Sequence, residues 1–424
     1  MDLISISIIL AIFFAFLLLS SVWIGFSLIG VALVALMLNG NQAIDLIFSA
    51  TAFAHLSSWS LIALPLFIWM GELLYKAKVA DDLFDGLSPL LSKLPGGHLH
   101  INVFGSGIFA ALSGSSAATA ATIGRMTIPE LKARGYKDND IYGSLAGSAT
   151  LGLLIPPSII LIVYGVAADI SIADLFVAGI VPGLILLMLF SGFIAIKGIG
   201  KKHTISFNEQ QLPSVRNVIK LFPILTLIGF VILAIYFGLA TPSESAVLGI
   251  IGSLILIKAK GKLTLKLLEE SLIDSAMTTA MILFILLGAS FVTIAMGFLQ
   301  LPATLATWIG SLSLSNYELL LYLTIAFIVL GLFLDGISII VLTAAILLPI
   351  VEMAGIDLIW FAIYLVVVVE ISQITPPIGF NLFVLKSLSK ASLTELSKAC
   401  LPYFLIMLGM LLLLIAFPDL VSVI

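Results

Sequence analysis

The sequence predicts an all-α protein that crosses a membrane many times and is built from two related halves. Three observations support this prediction. The chain is 61% apolar and only 10% charged, whereas soluble domains average about 25% charged residues. Apolar stretches long enough to cross about 30 Å of hydrocarbon recur along the chain. Finally, the proline pair at 156–157 recurs 220 positions later, at 376–377.

Ten apolar spans are predicted, at 4–20, 22–39, 58–76, 142–168, 175–196, 217–238, 243–258, 276–298, 358–388 and 395–417. Two further apolar segments are interrupted near their middles by small or polar residues. In 99–124 the interruption is Ser113-Gly114-Ser115-Ser116, and in 318–350 it is Asp335-Gly336-Ile337-Ser338. We interpret each segment as a re-entrant helical hairpin that enters the membrane and returns on the same side. The alternative is a pair of kinked or short helices.

The basic residues favour the hairpin interpretation. With both hairpins re-entrant, all 19 Lys and Arg fall on one side of the membrane, and the loops on the other side carry none. Because basic loops stay in the cytoplasm, we predict that both termini lie outside, that the first hairpin opens to the cytoplasm and that the second opens to the outside. Between the spans, segments 77–94 and 262–274 place apolar residues opposite charges at helical spacing. That pattern predicts helices lying along the membrane interface.

The 220-residue offset relates the two halves as a whole. Pro129 and Pro182 recur as Pro349 and Pro402, and each span of the first half matches one of the second. Since the first copy starts outside and the second starts inside, we predict inverted-topology repeats about an axis in the membrane plane. The predicted units are residues 1–196, a cytoplasmic linker at 197–216, and residues 217–424.

The proline pairs predict two broken helices. A proline pair inside a membrane span removes two backbone donors and blocks the carbonyls four residues earlier. In hydrocarbon those freed carbonyls need a partner or a polar cavity. Two such breaks at matching positions of two halves point to the central binding site of a carrier.

The two hairpin tips are candidate binding sites. The hydroxyl-rich stretch 113–119 reverses at Gly114, and its oxygens suit a hard cation while its helix N-terminus suits an anion. The alternative is that these small residues only pack helices. At the second tip, Asp335 would be costly in a membrane without a function. The alternative is a helix N-cap that faces an aqueous vestibule.

Other charged residues give weaker signals. Glu370 could neighbour the site, carry a proton or face the other bundle. Glu72, four residues before Lys76, is predicted to pair with it on a helix surface, and Glu244 is predicted to mark a helix start. Arg125 either reaches an anionic substrate from the cytoplasmic mouth or reflects the positive-inside bias.

Several function classes are excluded. The single Cys400 permits neither an intramolecular disulfide nor a cysteine metal cluster. The four His are dispersed, and no GxxxxGK[ST] motif is present, so we expect no transition metal, no bound cofactor and no ATP hydrolysis. The chain offers no constellation typical of an enzyme and nothing that indicates nucleic-acid binding. The first span lacks a basic flank and a cleavage site, which predicts a retained membrane helix.

The sequence resembles the large membrane subunit of TRAP (tripartite ATP-independent periplasmic) transporters over nearly the whole chain. The resemblance rests on an ordered set of short motifs: Ala63-Leu64-Pro65-Leu66-Phe67-Ile68 with Gly71-Glu72, Leu112-Ser113-Gly114-Ser115, Ile128-Pro129-Glu130-Leu131 with Gly135-Tyr136, Leu154-Ile155-Pro156-Pro157-Ser158, Leu175-Phe176-Val177-Ala178-Gly179, Pro182-Gly183, Ala240-Thr241-Pro242-Ser243-Glu244, Gly355-Ile356-Asp357, Thr375-Pro376-Pro377-Ile378-Gly379 and Leu382-Phe383-Val384.

The resemblance implies a sodium-driven importer of organic acids, such as dicarboxylates or sialic acid, in the bacterial inner membrane. It implies a small membrane subunit and a periplasmic substrate-binding protein as partners, besides the lipid bilayer. It also implies an elevator motion, in which hairpins and broken helices slide as one block against a scaffold of outer spans. Sodium ions would be the coupling ions, with no other cofactor.

Carried over residue by residue, the resemblance places one sodium ion between each tip and the break that faces it. The implied sodium ligands are Ser113, Gly114, Ser115, Ser116, Gly152, Ile155, Pro156, Asp335, Gly336, Thr375, Pro376 and Gly379. The implied substrate-binding residues are Ser116, Thr119, Arg125, Pro157, Ser158 and Asn381. Arg125 departs from the family pattern, which usually has a small residue after Gly124.

Two other functions stay open at the level of sequence. A stand-alone sodium/carboxylate symporter of related architecture would share the hairpins and breaks but would need no binding protein. An ion or proton channel would need a continuous polar pore rather than two inverted hairpins. The identity of the transported acid is not encoded in these motifs, because specificity in this class would rest largely with the periplasmic protein.

Overall fold

A computed structural model describes residues 3–79, 81–199, 218–312, 314–332, 334–376 and 379–421. Within these ranges the chain forms helices and no strand, which confirms the predicted all-α class. The first half contains α1 (Leu3–Leu19), α2 (Ile24–Leu38), α3 (Ile44–Leu56), α4 (Ala63–Lys76), α5 (Asp81–Leu91), α6 (His100–Ser113), α7 (Ser116–Ala133), α8 (Asp138–Ala149), α9 (Leu151–Leu154), α10 (Ile159–Ala168) and α11 (Ile172–Gly198). The second half contains α12 (Phe222–Tyr236), α13 (Pro242–Ala259), α14 (Leu265–Phe298), α15 (Leu301–Ser311), α16 (Asn316–Leu330), α17 (Gly336–Met353), α18 (Leu358–Gln373), α19 (Phe380–Leu388) and α20 (Leu393–Ala416).

Side-chain caps define many of the helix starts. Three helices begin with a capping box, at Thr241, Ser315 and Ser392. The side chain of each of these residues accepts a hydrogen bond from the backbone N–H of a glutamate three residues later, and the glutamate side chain accepts one from the backbone N–H of the cap residue. These reciprocal bonds satisfy N–H groups that no helical carbonyl reaches. Because α13 starts with such a box, the prediction that Glu244 marks a helix start is confirmed.

The helix bounds recur at the offset of the proline pairs. Shifting α5 by 220 positions gives the bounds of α15, and the same shift places α7 on α17. The two halves therefore fold into corresponding series of helices. Their opposite orientation in a membrane and the re-entrant course of the hairpins stay predictions. The linker predicted at 197–216 lies outside the described residues from position 200 onward.

One pair of corresponding segments differs between the halves. In the first half, α3 and the segment Trp59–Lys76, which ends with α4, meet at a bend of 56°. The second half has a single helix of 34 residues, α14, at this place, so the separate interfacial helix predicted at 262–274 is wrong. The bend follows Ser57, whose hydroxyl bonds the Phe53 carbonyl and so competes with the helical backbone. The equivalent position in α14 is Met277, a good helix former.

The helices pack into two groups. The scaffold consists of α1–α4 and α12–α14, in which α2 and α4 both pack along α14. The hairpin block consists of α6–α11 and α16–α20, in which α8 packs on α20, α10 on α17 and α7 on α19. Helix α18 lies at the centre of the block, with every residue from Trp360 to Gln373 buried. The two groups meet where α4 contacts α6 and where α14 contacts α17.

Within the described part of the chain, five helices are long and apolar enough to cross a membrane, or seven when each of two bent pairs counts as one span. The predicted broken span at 142–168 falls within one of these, Asp138–Ala168, which includes α8, α9 and α10. Shorter apolar helices account for other predicted spans, among them α2, α12 and α18, and another, α16, lies in the first part of the predicted second hairpin. The polytopic character predicted from composition is therefore present in the fold.

Candidate functional site

The first hairpin tip is a tight turn between α6 and α7. Gly114 ends α6 with a φ of +57°, a left-handed conformation that glycine adopts at no steric cost. Ser115 caps α7 by accepting a hydrogen bond from the Ala118 N–H at 3.4 Å. The Thr119 hydroxyl donates to the Ser115 carbonyl at 2.8 Å and lies 3.0 Å from the Ser113 hydroxyl. The tip is thus held together by its own hydroxyl groups.

The first helix break faces this tip. Helix α9 ends at Leu154, and the chain leaves the helical path until Ser158 caps α10. Gly152 is so close to the tip that a Cβ there would lie 2.7 Å from the carbonyl oxygen of Ser115. A Cβ on Gly114 would lie 3.0 Å from the backbone nitrogen of Ile159. Main-chain groups of the tip and of the break therefore lie side by side, with no side chain between them.

The second hairpin tip starts with a capped helix. The Asp335 carboxylate accepts hydrogen bonds from the Ile337 N–H at 3.2 Å and the Ser338 N–H at 3.3 Å, and a further one from the Ser338 hydroxyl. Asp335 is therefore the N-cap of α17, and its role in binding stays a prediction. The next residue, Gly336, packs on α18, where a Cβ would lie 3.0 Å from Nε2 of Gln373.

The second helix break follows α18. The Thr375 hydroxyl donates to the Ile371 carbonyl at 2.8 Å. Gly379 returns so close to α18 that a Cβ on it would lie 2.2 Å from the Gln373 carbonyl oxygen, a distance that only glycine tolerates. Of the predicted proline pair, Pro376 is described, whereas Pro377 lies outside the described residues.

Both tips open on one cavity of about 570 Å³, which we call the tip cavity. Residues 113–116 and 335–337 line it together with Gln373. The Ser116 hydroxyl donates to Oε1 of Gln373 at 3.1 Å, and this bond joins the first half of the chain to the second. The scaffold supplies the opposite wall, through Ile68, Gly71, Glu72 and Tyr75 of α4 and Thr278, Met281 and Ile282 of α14.

The polar groups of the tip cavity suit a cation. None of its described lining residues is Lys, Arg or His, and the acidic ones are Glu72 and Asp335. In the described part of the chain, no three His, Cys, Asp or Glu side chains converge as a metal site would require. An ion in the cavity would therefore be held mainly by hydroxyl, amide and main-chain oxygens, which are hard ligands suited to ions such as sodium.

The predicted site residues divide into those that line the tip cavity and those that lie outside its lining. Those that line the tip cavity are Ser113, Gly114, Ser115, Ser116, Asp335 and Gly336. Those outside the lining are Thr119, Gly152, Ile155, Pro156, Pro157 and Ser158 in the first half, and Thr375, Pro376, Gly379 and Asn381 in the second. Arg125 is exposed, lies three residues beyond the lining residue Thr122, and makes no ion pair within the described ranges.

Sequence reasoning missed the scaffold wall of the cavity. Glu72 is predicted to pair with Lys76, but Lys76 Nζ instead lies 2.6 Å from Asp274 and 3.9 Å from Glu270. Helix α14 runs beside α4 and brings these carboxylates to Lys76, a contact that spacing along one helix cannot reveal. The sequence signal for this wall is Gly71, next to Glu72. In the structure, a Cβ on Gly71 would lie 2.7 Å from the Leu112 carbonyl oxygen at the end of α6.

Glu370 and Asn381 are among the buried polar side chains of the hairpin block that have no hydrogen-bond partner. Asn381 is fully buried with neither amide atom bonded, and Glu370 is 1% exposed with both carboxyl oxygens unbonded. The Ser116 hydroxyl lies near Glu370 but outside hydrogen-bond geometry. Because an unpartnered buried polar group costs free energy, both side chains are candidates for contact with a ligand or with water.

Comparison with known proteins identifies the family of this chain. The family model of the tripartite ATP-independent periplasmic transporter, DctM component, matches residues 10–420. The C4-dicarboxylate TRAP transporter large permease protein DctM of Pseudomonas aeruginosa is 33% identical and covers 85% of this chain and 84% of its own length. The sialic acid TRAP transporter large permease protein SiaM of Vibrio cholerae is 30% identical over 93% of each chain. The isethionate TRAP transporter permease protein DctMQ of Oleidesulfovibrio alaskensis is 32% identical over 94% of this chain, which spans 63% of that longer protein.

Two solved structures share the fold at low sequence identity. The YdaH transporter of Alcanivorax borkumensis superposes with a TM-score of 0.65 at 16% identity, covering 89% of this chain and 87% of its own. The MtrF protein of Neisseria gonorrhoeae gives a TM-score of 0.62 at 14% identity, covering 88% of this chain and 83% of its own.

The family model and the relatives thus confirm the resemblance seen in the motifs over nearly the whole chain. This chain belongs to the family of DctM components, the large permease subunits of tripartite ATP-independent periplasmic (TRAP) transporters.

Proposed function

We propose that this protein is the large transmembrane subunit of a sodium-coupled secondary importer of organic acid anions. The observation that carries the proposal is the convergence of two hairpin tips, one from each half, on a single oxygen-lined cavity. Each tip begins a helix there, and a broken helix of the same half follows close by. This is the arrangement expected of a carrier that binds ions and substrate at the centre of two repeats.

Sodium ions would bind at both tips. At the first, the candidate ligands are the oxygens of residues 113–116 together with the main chain near Gly152 and Ile155–Pro156. At the second, they are the oxygens at 335–336 and those of the break at Thr375, Pro376 and Gly379. The close backbone approach at Gly152 supports the first site. Mostly neutral ligands hold an ion loosely enough for release, which each transport cycle requires.

The organic anion would bind beside the ions. The relatives are named for C4-dicarboxylate, sialic acid and isethionate, which are all organic anions. The helices that begin at the two tips present their N-termini to the tip cavity, and partly positive helix ends favour anions. The Nε2 amide of Gln373 adds donors there, and the Ser116 hydroxyl would add another once it released Oε1 of Gln373. The remaining candidates are Thr119, Arg125, Pro157, Ser158 and Asn381.

The hairpin block would move as one body against the scaffold in an elevator motion. Its central helix α18 is buried along nearly its whole length, so the hairpins and breaks share one core. The contact with the scaffold at Gly71 involves no side chain of α4 at that point, which suits relative sliding. Rigid-body displacement of a packed unit along an interface is an established way of switching between states.

The partners and the location follow from family membership. A small TRAP membrane subunit would pack beside this chain in the bacterial inner membrane, and a periplasmic substrate-binding protein would deliver the anion. Exposed apolar side chains on α1, α12 and α13, such as Phe16, Phe230 and Ile255, would face lipid or the small subunit. The basic loops would be cytoplasmic and both termini periplasmic.

Uptake by reconstituted liposomes tests the proposal. The subunit would be inserted together with its small subunit, and the binding protein would be loaded in turn with labelled C4-dicarboxylate, sialic acid or isethionate. We expect uptake that requires both an inward sodium gradient and the binding protein, with none under a matched choline gradient. Uptake of the free anion without the binding protein would support the stand-alone symporter instead. Uptake that is indifferent to sodium would refute the coupling.

A further inference from the structure

Glu72 is an acidic side chain of the tip cavity that makes no ion pair among the described residues. Its side chain is half-buried on α4 and lines the cavity. The carboxylate of Asp335, the other acidic lining residue, is already bonded to two N–H groups and a hydroxyl of its own helix turn. No basic residue belongs to the described lining, and the base whose charge acts on Glu72 is Lys76, one turn further along α4.

Lys76 offsets the charge of Glu72 only in part. Lys76 Nζ lies 2.6 Å from Asp274 and 3.9 Å from Glu270, both on α14. Three carboxylates, those of Asp274, Glu270 and Glu72, therefore act on the one ammonium of Lys76. Part of the negative field of Glu72 therefore acts on the cavity, and apolar neighbours such as Ile68 and Met281 limit the screening by water.

Glu72 belongs to the scaffold, whereas both tips belong to the hairpin block. The preceding Gly71 touches the end of α6, where a Cβ would lie 2.7 Å from the Leu112 carbonyl oxygen and 3.5 Å from Cα of Ser113. In this arrangement Glu72 thus stands beside the first tip. A displacement of the block would carry the tip away while Glu72 stayed in place.

We propose that Glu72 attracts sodium into the tip cavity and raises the affinity of the cavity for sodium. This effect operates only while the tips open toward the side on which Lys76 lies. The proposal deepens the sodium-coupled function proposed above and rests on it. A unit charge several ångströms from the ion, at the intermediate dielectric of a protein cavity, changes ion affinity on the order of tenfold. The effect should be one-sided, since the scaffold does not travel with the site.

Sided transport measurements test this role. The half-saturating sodium concentration for substrate exchange would be measured in right-side-out and in inverted membrane vesicles. Glu72→Gln should raise it roughly tenfold from the side on which Lys76 lies and leave the opposite side unchanged. Glu72→Asp, which keeps the charge, should stay close to wild type. Glu269→Gln is the matched control, because it makes the same charge change at an exposed position of the scaffold helix α14, outside the cavity lining.

The outcomes separate the inference from the function on which it rests. Equal effects of Glu72→Gln from both sides, or no effect from either, would overturn it. If this variant failed to assemble with the small subunit, the wild-type protein gives a second test: raising ionic strength with choline chloride should weaken sodium affinity more from the Lys76 side. Equal weakening from both sides would then refute the role of Glu72. Exchange that needs no sodium in the wild type would instead refute the proposed function.

Discussion

Replacing Gly152 with alanine should disturb the first tip far more than an ordinary glycine replacement. The new Cβ would lie 2.7 Å from the carbonyl carbon and oxygen of Ser115 and from Cα of Ser116, whereas ordinary contact begins at 3.4 Å. The backbone must therefore move by about 0.7 Å, the difference between these distances. Overpacking of this kind costs about 1–3 kcal/mol, which corresponds to a factor of roughly 5 to 150 if the cost falls on ion binding.

The assay is sodium-driven uptake in liposomes that contain the assembled transporter. Gly152→Ala should assemble normally and raise the half-saturating sodium concentration by roughly 5- to 150-fold. Gly192→Ala on α11 is the matched control, because a Cβ there meets nothing within 4 Å, and alanine favours a helix by about 1 kcal/mol. A wild-type sodium response in Gly152→Ala would refute the idea that backbone contact between tip and break shapes an ion site.

Four further predictions concern single side chains. Ser116→Ala removes a hydroxyl that lines the tip cavity, a contact worth about 1 kcal/mol to a bound ion, and should weaken sodium binding about fivefold; the exposed Ser49→Ala is the control, and equal sodium affinities would contradict the role. Asp335→Asn keeps a good N-cap but loses the charge, so its sodium dependence should change while its melting temperature does not; unaltered transport would count against an electrostatic role. In a Cys400→Ser background, an impermeant thiol reagent applied to intact cells should label Asn316→Cys and spare Lys137→Cys, and the reverse pattern would overturn the topology. Glu370→Gln removes an unpartnered buried carboxyl and should raise the melting temperature of the purified subunit in sodium-free buffer; a lower one would show that the carboxyl stabilises the fold.

Features with local causes could be predicted from the sequence. The tip at Gly114 and the cap at Asp335 depend on residues a few positions apart, so the local sequence predicts both. The repeat can be predicted from the sequence for a different reason. Both halves must build the same kind of broken helix, and proline is the residue that breaks one, so the offset of 220 positions between Pro156 and Pro376 also relates the bounds of α7 and α17.

Features that depend on contacts between distant segments could not be predicted. Ser116 and Gln373 are separated by 257 positions, and no periodicity links them. The pairing of Lys76 with Asp274 depends on how α14 lies beside α4, which the spacing of Glu72 and Lys76 does not reveal. The continuity of α14 could not be predicted for a related reason. The charges at 262–274 form a pattern typical of an interfacial helix, although no break separates this segment from the rest of α14.

Gln373 offers a physical basis for cooperation between the two proposed ion sites. Its Oε1 accepts the bond from Ser116 at the first tip, while its Nε2 would lie 3.0 Å from a Cβ on Gly336 at the second, so one side chain touches both tips. An ion that drew the Ser116 hydroxyl away would release the amide and change the surroundings of the second tip. Coupling between two binding sites is reciprocal, so an ion at the second tip would alter the first by the same factor. A coupled carrier must not move half-loaded, and one shared amide at the junction of two repeats would link their occupancies through direct contact.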